Sequence, residues 1–304
     1  MARGATATTP SQWPGLGYLP ADTDIVAGFE VGQMLSDAHG RDLLDTLLAV
    51  LNLHETDLES WTGIKIDDLD YALFGAKIQD RVLPRMTLVV ETRRDYDQAK
   101  LQSKLKVGRR TERDGRTLFR FRPSETSLEA TVWFAGERTL VFSLIPEDFA
   151  EVPVKPSAPS QALAPALIGL LQPMTDATHV WLIGQARNWG RLLAGLSTDP
   201  LPIPTLNLRD ETRQLLPKVR QFAFWATVDD LVNLELAIGL EDRAAARRLE
   251  RLIHDKEAEW QGDAEKPAQL KVHFQLEAKE EWLKGSTRMS TNALREVLAG
   301  LTTR

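Results

Sequence analysis

The sequence predicts an α+β protein made of two tandem β-α-β-β-α-β repeats of the ferredoxin-like kind, each with an antiparallel sheet. Three observations predict it. Strand and helix periodicities follow the same order in both halves, apolar positions coincide between the halves, and a proline-rich stretch separates them. Because four- or five-stranded units leave open edges, we favour an arrangement in which the two sheets join into one, with separate sheets as the alternative.

The duplication rests on two sets of matching apolar positions. Segment 71–74 aligns with segment 222–225, and five further apolar residues align without a gap from a strand into a helix. These five pairs match Met86, Leu88, Val90, Leu101 and Leu105 with Leu234, Leu236, Ile238, Leu249 and Ile253. A match in order as well as in hydrophobicity favours a repeated structural unit.

In the first half, composition and periodicity define the elements in order. Residues 1–17 are rich in Ala, Thr, Pro and Gly and are predicted to be a flexible leader, and residues 25–31 are predicted to be a strand. Leucines at helical spacing then predict a helix, residues 69–78 and 85–92 a hairpin, and residues 94–106 a helix with one apolar face. Strands at 117–122, 128–135 and 139–145 complete the first repeat, which spans residues 18–150.

The second half repeats this order after a boundary. Residues 151–166 contain four prolines, a composition that cannot continue a helix or a central strand, and are predicted to be the linker. Residues 167–304 form the second repeat. Its predicted elements are strand 179–185, helix 188–196, strands 220–228 and 232–240, helix 242–260, strands 269–278 and 281–289, and helix 291–301.

Composition excludes several classes of chemistry. The chain has no cysteine, which removes disulfides, thiolate nucleophiles and cysteine metal sites, and its five histidines show no close ligand spacing. It has neither a Gly-x-Ser-x-Gly elbow nor a phosphate-binding Gly-x-x-x-x-Gly-Lys loop. We therefore predict no catalytic residue, no metal site and no cofactor. Carboxylates that meet only in the fold, between the repeats, leave a hydrolase or transferase as an alternative.

An arginine cluster is the best candidate for a functional site. Eleven Lys or Arg and four Asp or Glu lie between residues 93 and 122, a local net charge of +7 in a chain whose net charge is −6. Alternation along a strand places two of the arginines on one side as a cationic row. The predicted residues for binding an anion or a partner are Arg109, Arg110, Arg113, Arg116, Arg120 and Arg122. The alternative is that these arginines pair with acids and keep a sheet edge soluble.

Two segments resemble a known group of domains. Leu19-Pro20-Ala21-Asp22-Thr23 precedes the first strand, and residues 61–69 read Trp-Thr-Gly-Ile-Lys-Ile-Asp-Asp-Leu. Both resemble uncharacterised bacterial domains that begin with a Leu-Pro-x-Asp-Thr strand and occur in exported proteins or beside bacterial Ser/Thr kinases. The resemblance implies an extracytoplasmic, sensor-like role and transfers no active-site residue.

Partner and location follow from these observations. The chain has no apolar run long enough for a membrane span or a signal peptide and no nucleic-acid motif, so it is expected to be soluble as given, with any targeting segment outside these residues. We expect a non-catalytic binding module whose partner is a protein or an acidic polymer. A structural subunit of an envelope assembly is the remaining alternative.

Overall fold

The structure, a computed structural model, describes residues 8–50, 54–78, 84–122, 129–143, 146–185, 214–262 and 273–302. Contacts divide the chain into two compact units. The first comprises Met1–Gly32, Glu55–Lys77 and Pro84–Trp181, and the second comprises Gln33–His54, Ile78–Leu83 and Leu182–Arg304. The main division falls between Trp181 and Leu182, later in the chain than the linker predicted at residues 151–166.

The chain combines helices with single strands and hairpins, as the periodicities predict. The elements of the first half are β1 (Ile25–Phe29), α1 (Val31–Met34), α2 (Ala38–Val50), α3 (Glu55–Thr62), β2 (Leu69–Lys77), β3 (Arg85–Thr92), α4 (Gln98–Lys104), β4 (Arg110–Arg113), β5 (Arg116–Phe121), β6 (Ala130–Phe134) and β7 (Thr139–Ser143). Those of the second half are α5 (Pro165–Leu171), β8 (Thr178–Gln185), β9 (Val219–Val228), β10 (Val232–Leu240), α6 (Arg243–Gly262), β11 (Phe274–Lys279), β12 (Trp282–Met289) and α7 (Thr291–Thr302). The helix predicted at 188–196 lies outside the described residues.

Strand order is the same in the two units. In the first unit, neighbouring strands follow the order β1-β2-β3-β7-β6-β5-β4, and the pairs are antiparallel. In the second unit the order is β8-β9-β10-β12-β11, where β8 contributes its residues from Leu182 onward, and β9, β10, β12 and β11 pair antiparallel. Each unit therefore has a first strand (β1 or β8), then a hairpin (β2–β3 or β9–β10), and then a second hairpin. In the second hairpin (β6–β7 or β11–β12), the strand that comes later in the chain lies next to the first hairpin. The first unit has two additional strands, and the union of the two sheets stays a prediction.

The ferredoxin-like part of the fold prediction is not confirmed by these pairings. In a split β-α-β unit, the two strands joined by a helix are parallel and another strand lies between them. Here β1 pairs directly and antiparallel with β2, with Val26 opposite Gly75. Strand β3 pairs antiparallel with β7, with Val89 opposite Val141. The fold is mixed α and β with large antiparallel sheets. The helices between β1 and β2 connect adjacent antiparallel strands, whereas α6 connects β10 and β11, which both pair antiparallel with β12 and are separated by it.

Side-chain caps fix where two of the helices begin. Asp97 precedes α4 and its Oδ1 accepts a hydrogen bond from the Lys100 N–H at 3.0 Å. Asp242 precedes α6, and its Oδ1 accepts from the Ala245 N–H at 2.7 Å. In both cases a carboxylate satisfies an N–H group that has no partner within the helix, and its charge suits the positive end of the helix dipole.

The N-terminal residues pack into the first unit, so the prediction of a flexible leader does not hold for residues 8–17. Two short 3-10 helices, Pro10–Gln12 and Pro14–Tyr18, bring Trp13 into the core, where its side chain is 1% exposed. The Trp13 ring stacks on Tyr71 with 4.6 Å between the ring centroids. The Gly15 N–H donates to Tyr71 Oη at 3.0 Å. Apolar side chains about three residues apart suit a 3-10 turn, in which they share one face.

The proline-rich stretch also belongs to the first unit. Pro159–Gln161 forms a 3-10 helix that contacts both N-terminal 3-10 helices. The Ser157 N–H donates to Gly17 O at 3.2 Å. A Cβ atom on Gly17 would lie 2.3 Å from Ser157 O, so this close approach of two backbones requires glycine. The prolines therefore begin short turns on the surface of a packed unit.

Candidate functional site

The structure places the six predicted binding arginines on the β4–β5 hairpin and the residues that flank it. Arg116 is buried, with 2% of the residue exposed. Its Nη1 donates to Val152 O at 2.7 Å and its Nη2 donates to Phe149 O at 3.1 Å. The guanidinium also lies 5.4 Å from the centroid of the Trp133 ring. Arg116 therefore anchors a neighbouring segment inside the unit, which corrects its assignment to a surface binding site.

Three of the exposed or half-buried arginines pair with acids close by. The pairs are Arg110 with Glu112 at 2.7 Å, Arg113 with Asp114 at 3.7 Å, and Arg120 with Glu129 at 3.2 Å. Arg109 and Arg122 have no acidic partner within the described ranges. Because most of the positive charge is balanced locally, the arginines do not form one uncompensated cationic surface. This arrangement agrees with the alternative considered from the sequence, in which charge keeps a sheet edge soluble.

A second group of charges, which the sequence did not predict, gathers in the first unit where Glu30 follows β1, Asp70 lies in β2 and Glu91 lies in β3. Arg138 contacts two of these acids. Its Nη2 is 3.0 Å from Asp70 Oδ2 and its Nε is 3.7 Å from Glu91 Oε1. Thr139 Oγ1 donates to Glu91 Oε2 at 2.7 Å. Asp70 and Glu91 thus make their contacts within the protein, and the group forms a half-buried charge network.

Burial changes how this network binds protons. Burial, and then the nearby Asp70 carboxylate, raise the pKa of Glu30 to about 7, while Arg93 acts in the opposite direction. Burial also raises the pKa of Glu91, against the hydrogen bond from Thr139 and the charge of Arg138. Glu30 therefore carries a proton across the mildly acidic range, where an ordinary glutamate is ionised.

This raised pKa predicts how stability depends on pH. Between pH 4.5 and about 7, folded Glu30 holds a proton that the unfolded chain releases, so the free energy of unfolding falls as pH rises. Because the side chain is partly exposed, we expect a loss of about 2 kcal/mol. Glu30→Gln, which stays neutral, should be about 2 kcal/mol more stable than the wild type at pH 8 and nearly equal to it at pH 4.

Urea unfolding at the two pH values measures this difference. Glu137→Gln serves as the control because Glu137 is exposed in the same unit. Stability curves of Glu30→Gln and the wild type that run parallel with pH would contradict the prediction.

A cavity of about 480 Å³ in the second unit is lined in part by Trp282. Trp282 lies opposite Gly239 in the β10–β12 pair, and Gly239 lies opposite Gln221 in the β9–β10 pair. A Cβ atom on Gly239 would be 3.0 Å from Trp282 Cη2, so glycine leaves room for the indole ring across the sheet. The register shifts between Gly239 and Leu240, and such irregularities often occur beside binding sites.

Six charged residues line this cavity, namely Arg220, Glu241, Asp242, Arg243, Glu280 and Glu281. Arg220 Nη2 lies 3.2 Å from Glu241 Oε1. Asp242 caps α6 through Ala245, as described above. These three side chains are therefore committed to contacts within the protein.

The other three charged side chains of the lining are uncommitted. Arg243, Glu280 and Glu281 have no ion-pair or hydrogen-bond partner for their side chains among the described residues. Glu280, with a φ of 54°, and Glu281 form the turn between β11 and β12 and immediately precede Trp282 in the chain. The cavity thus presents two carboxylates and one guanidinium beside a half-buried indole.

Comparison with known proteins assigns this chain to no class of protein. No family model matches the chain, and no match was found among curated proteins or solved structures. In the part of the chain that the structure describes, no helix has both the length and the apolar character needed to cross a membrane. Within the same residues, no three His, Cys, Asp or Glu side chains are grouped as a metal ion would require.

Proposed function

We propose that this protein is a non-catalytic binding module and that its ligand site is the Trp282 pocket, the cavity lined by Trp282, Gly239, Arg243, Glu280 and Glu281. One observation carries the proposal: a half-buried indole shares a cavity of about 480 Å³ with charged side chains that have no partner among the described residues. Ligand sites typically combine such an aromatic surface with a few polar groups that fix orientation, in cavities of this size.

The distribution of charge supports binding over catalysis. Among the described residues, Glu30 has a pKa near neutrality, which would suit a general base, and it belongs to the charge network of the first unit. Nearby Asp70 and Glu91 are held by Arg138. A hydrolase or transferase needs such a group to converge on a substrate cavity, and the Trp282 pocket is lined by residues of the other unit.

The proposal also includes an internal duplication and an extracytoplasmic location for the module. The common strand order of the two units supports an internal duplication. The likeness of residues 19–23 and 61–69 to exported or kinase-associated bacterial domains supports an extracytoplasmic, sensor-like role. The arginines of the β4–β5 hairpin are not part of the proposed site, because Arg116 is buried and three others are paired.

Calorimetric titration with a small panel of probes tests the proposal. The probes are the N-acetyl methylamides of arginine, glutamate and phenylalanine, which differ in charge and aromatic character. We expect saturable binding of at least one probe, weakened about 5-fold or more by Trp282→Ala. Trp61→Ala is the matched control, because Trp61 is exposed and lies in the other unit. Binding that Trp282→Ala leaves unchanged, or no binding by any probe, would overturn the proposal.

A further inference from the structure

We infer that the Trp282 pocket binds a guanidinium group, the side chain of an arginine in a partner polypeptide. The group would stack on the Trp282 ring and donate hydrogen bonds to Glu280 and Glu281. This inference rests on the proposed function, since it names the ligand class of the same pocket. It reverses the sign of the partner expected from the sequence, where the arginine cluster favoured an acidic partner.

The charge of the lining favours a cation. Four acids and two arginines line the cavity, so its formal charge is −2. Arg220 and Glu241 neutralise each other at 3.2 Å. Glu280 and Glu281 remain as consecutive carboxylates beside the indole. A cation that enters this space finds two acceptors whose charge no described residue balances.

Arg243 and the N-terminus of α6 are the features that would favour an anion instead. The helix end already holds a carboxylate, because Asp242 Oδ1 accepts the Ala245 N–H at 2.7 Å. That carboxylate satisfies an amide of the first turn and offsets the positive end of the helix dipole. Arg243 is therefore the single cation of the lining that could draw an anion, against the two uncommitted glutamates.

The shape and hydrogen-bonding capacity of the pocket favour guanidinium among organic cations. Quaternary ammonium groups have no N–H donors and are usually held by several aromatic rings. Here Trp282 is the one aromatic residue of the lining, and the carboxylates require donors. A guanidinium is planar, stacks on an aromatic ring through its face, and presents five N–H donors along its edges to carboxylates. It can therefore contact the indole and both glutamates at once.

Two matched probes test the role of charge. N-acetyl-arginine methylamide and its citrulline analogue have nearly the same shape, but citrulline is uncharged. We expect the arginine probe to bind about 10-fold tighter or more, because the charged donors make stronger hydrogen bonds to carboxylates. The lysine probe should bind more weakly than the arginine probe, since an ammonium cannot stack as a plane. Added salt should weaken the binding of the arginine probe.

Surface variants locate the binding. The double variant Glu280→Gln, Glu281→Gln should weaken arginine-probe binding about 5-fold or more. Each substitution replaces a carboxylate acceptor and so removes a charge-assisted hydrogen bond to the guanidinium. The matched control is Glu277→Gln, an exposed change on neighbouring β11 that does not line the cavity. It should leave binding unchanged. Trp282→Phe keeps an aromatic ring for packing and should still weaken binding, because indole is the strongest aromatic partner for cations.

The outcomes separate this inference from the proposed function. Equal binding of the arginine and citrulline probes, or of the arginine and lysine probes, would overturn the guanidinium assignment. Binding of the glutamate probe alone, lost in Trp282→Ala, would overturn the inference and leave the pocket as a ligand site. If no probe shows binding that depends on Trp282, both proposals fail.

Discussion

Replacing Trp13 with alanine should destabilise the first unit by about 3–5 kcal/mol, the range measured for the truncation of fully buried large aromatic residues. The side chain is 1% exposed. Its ring stacks on Tyr71 and lies 5.7 Å from the Trp181 ring, measured between centroids. Truncation therefore removes a large apolar surface and leaves a cavity that the surrounding aromatic residues cannot easily fill.

Urea unfolding of the full chain measures this effect. The control is Trp61→Ala, because Trp61 is 36% exposed and its loss should change stability by about 0.5 kcal/mol or less. The two tryptophans differ in burial but not in chemistry, so the comparison isolates packing. Equal and small effects of the two substitutions would contradict the packed N-terminal segment and would support the flexible leader predicted from composition.

Replacing Arg116 with alanine should destabilise the first unit by about 3 kcal/mol. The substitution leaves two buried acceptors, Val152 O and Phe149 O, without their donors. It also removes the guanidinium that lies over Trp133. A buried carbonyl without a hydrogen bond costs about 1–3 kcal/mol, and the lost packing adds to this cost.

Arg110→Ala is the matched control for Arg116→Ala. Both are arginines of the β4–β5 hairpin, but Arg110 makes an exposed ion pair with Glu112, whose loss should change stability little. Equilibrium unfolding of both variants tests the difference. A loss of stability in Arg116→Ala no greater than that in Arg110→Ala would restore Arg116 to the surface cluster inferred from the sequence.

Periodicity predicted the central elements of the fold well, because those strands are long and their apolar positions alternate. Strands β3 and β10 begin and end where the sequence predicted, at residues 85–92 and 232–240. Strand β4, Arg110–Arg113, was missed. Its four residues carry no apolar alternation, since it pairs with β5 alone and its side chains are largely exposed. Backbone hydrogen bonds hold such an edge strand, and side-chain patterns do not reveal them.

The alignment of the two repeats shows that hydrophobicity alone does not determine the register in which strands pair. Phe74 lies opposite Leu88 in the β2–β3 pair. Trp225, its aligned counterpart, lies opposite Glu235 and not opposite Leu236. The two sets of matched positions therefore differ by one residue in register. A shift of one residue moves every side chain to the other face of a strand, and a comparison of apolar residues cannot detect it where both faces are apolar.

The candidate sites could not be predicted from the spacing of residues in the sequence, because their residues meet only through the pairing of strands. Glu30, Asp70 and Glu91 come together only because β1, β2 and β3 are neighbours in the sheet. The Trp282 pocket likewise joins the start of β9, the end of β10 and the β11–β12 turn. One local signal was present. Two consecutive glutamates stand directly before a tryptophan at a strand start, and a tryptophan beside a polar turn is typical of sites where one end of the ring is apolar and the other wet.

The most direct test of the account is an NMR titration of the indole N–H groups in ¹⁵N-labelled protein with N-acetyl-arginine methylamide. The chain has eight tryptophans, and the signal of Trp282 can be assigned from its absence in Trp282→Phe. We predict that the Trp282 signal shifts progressively to a plateau while the signals of buried Trp13 and exposed Trp61 stay in place. A Trp282 signal that does not move, while another tryptophan responds to the probe, would contradict the proposed site.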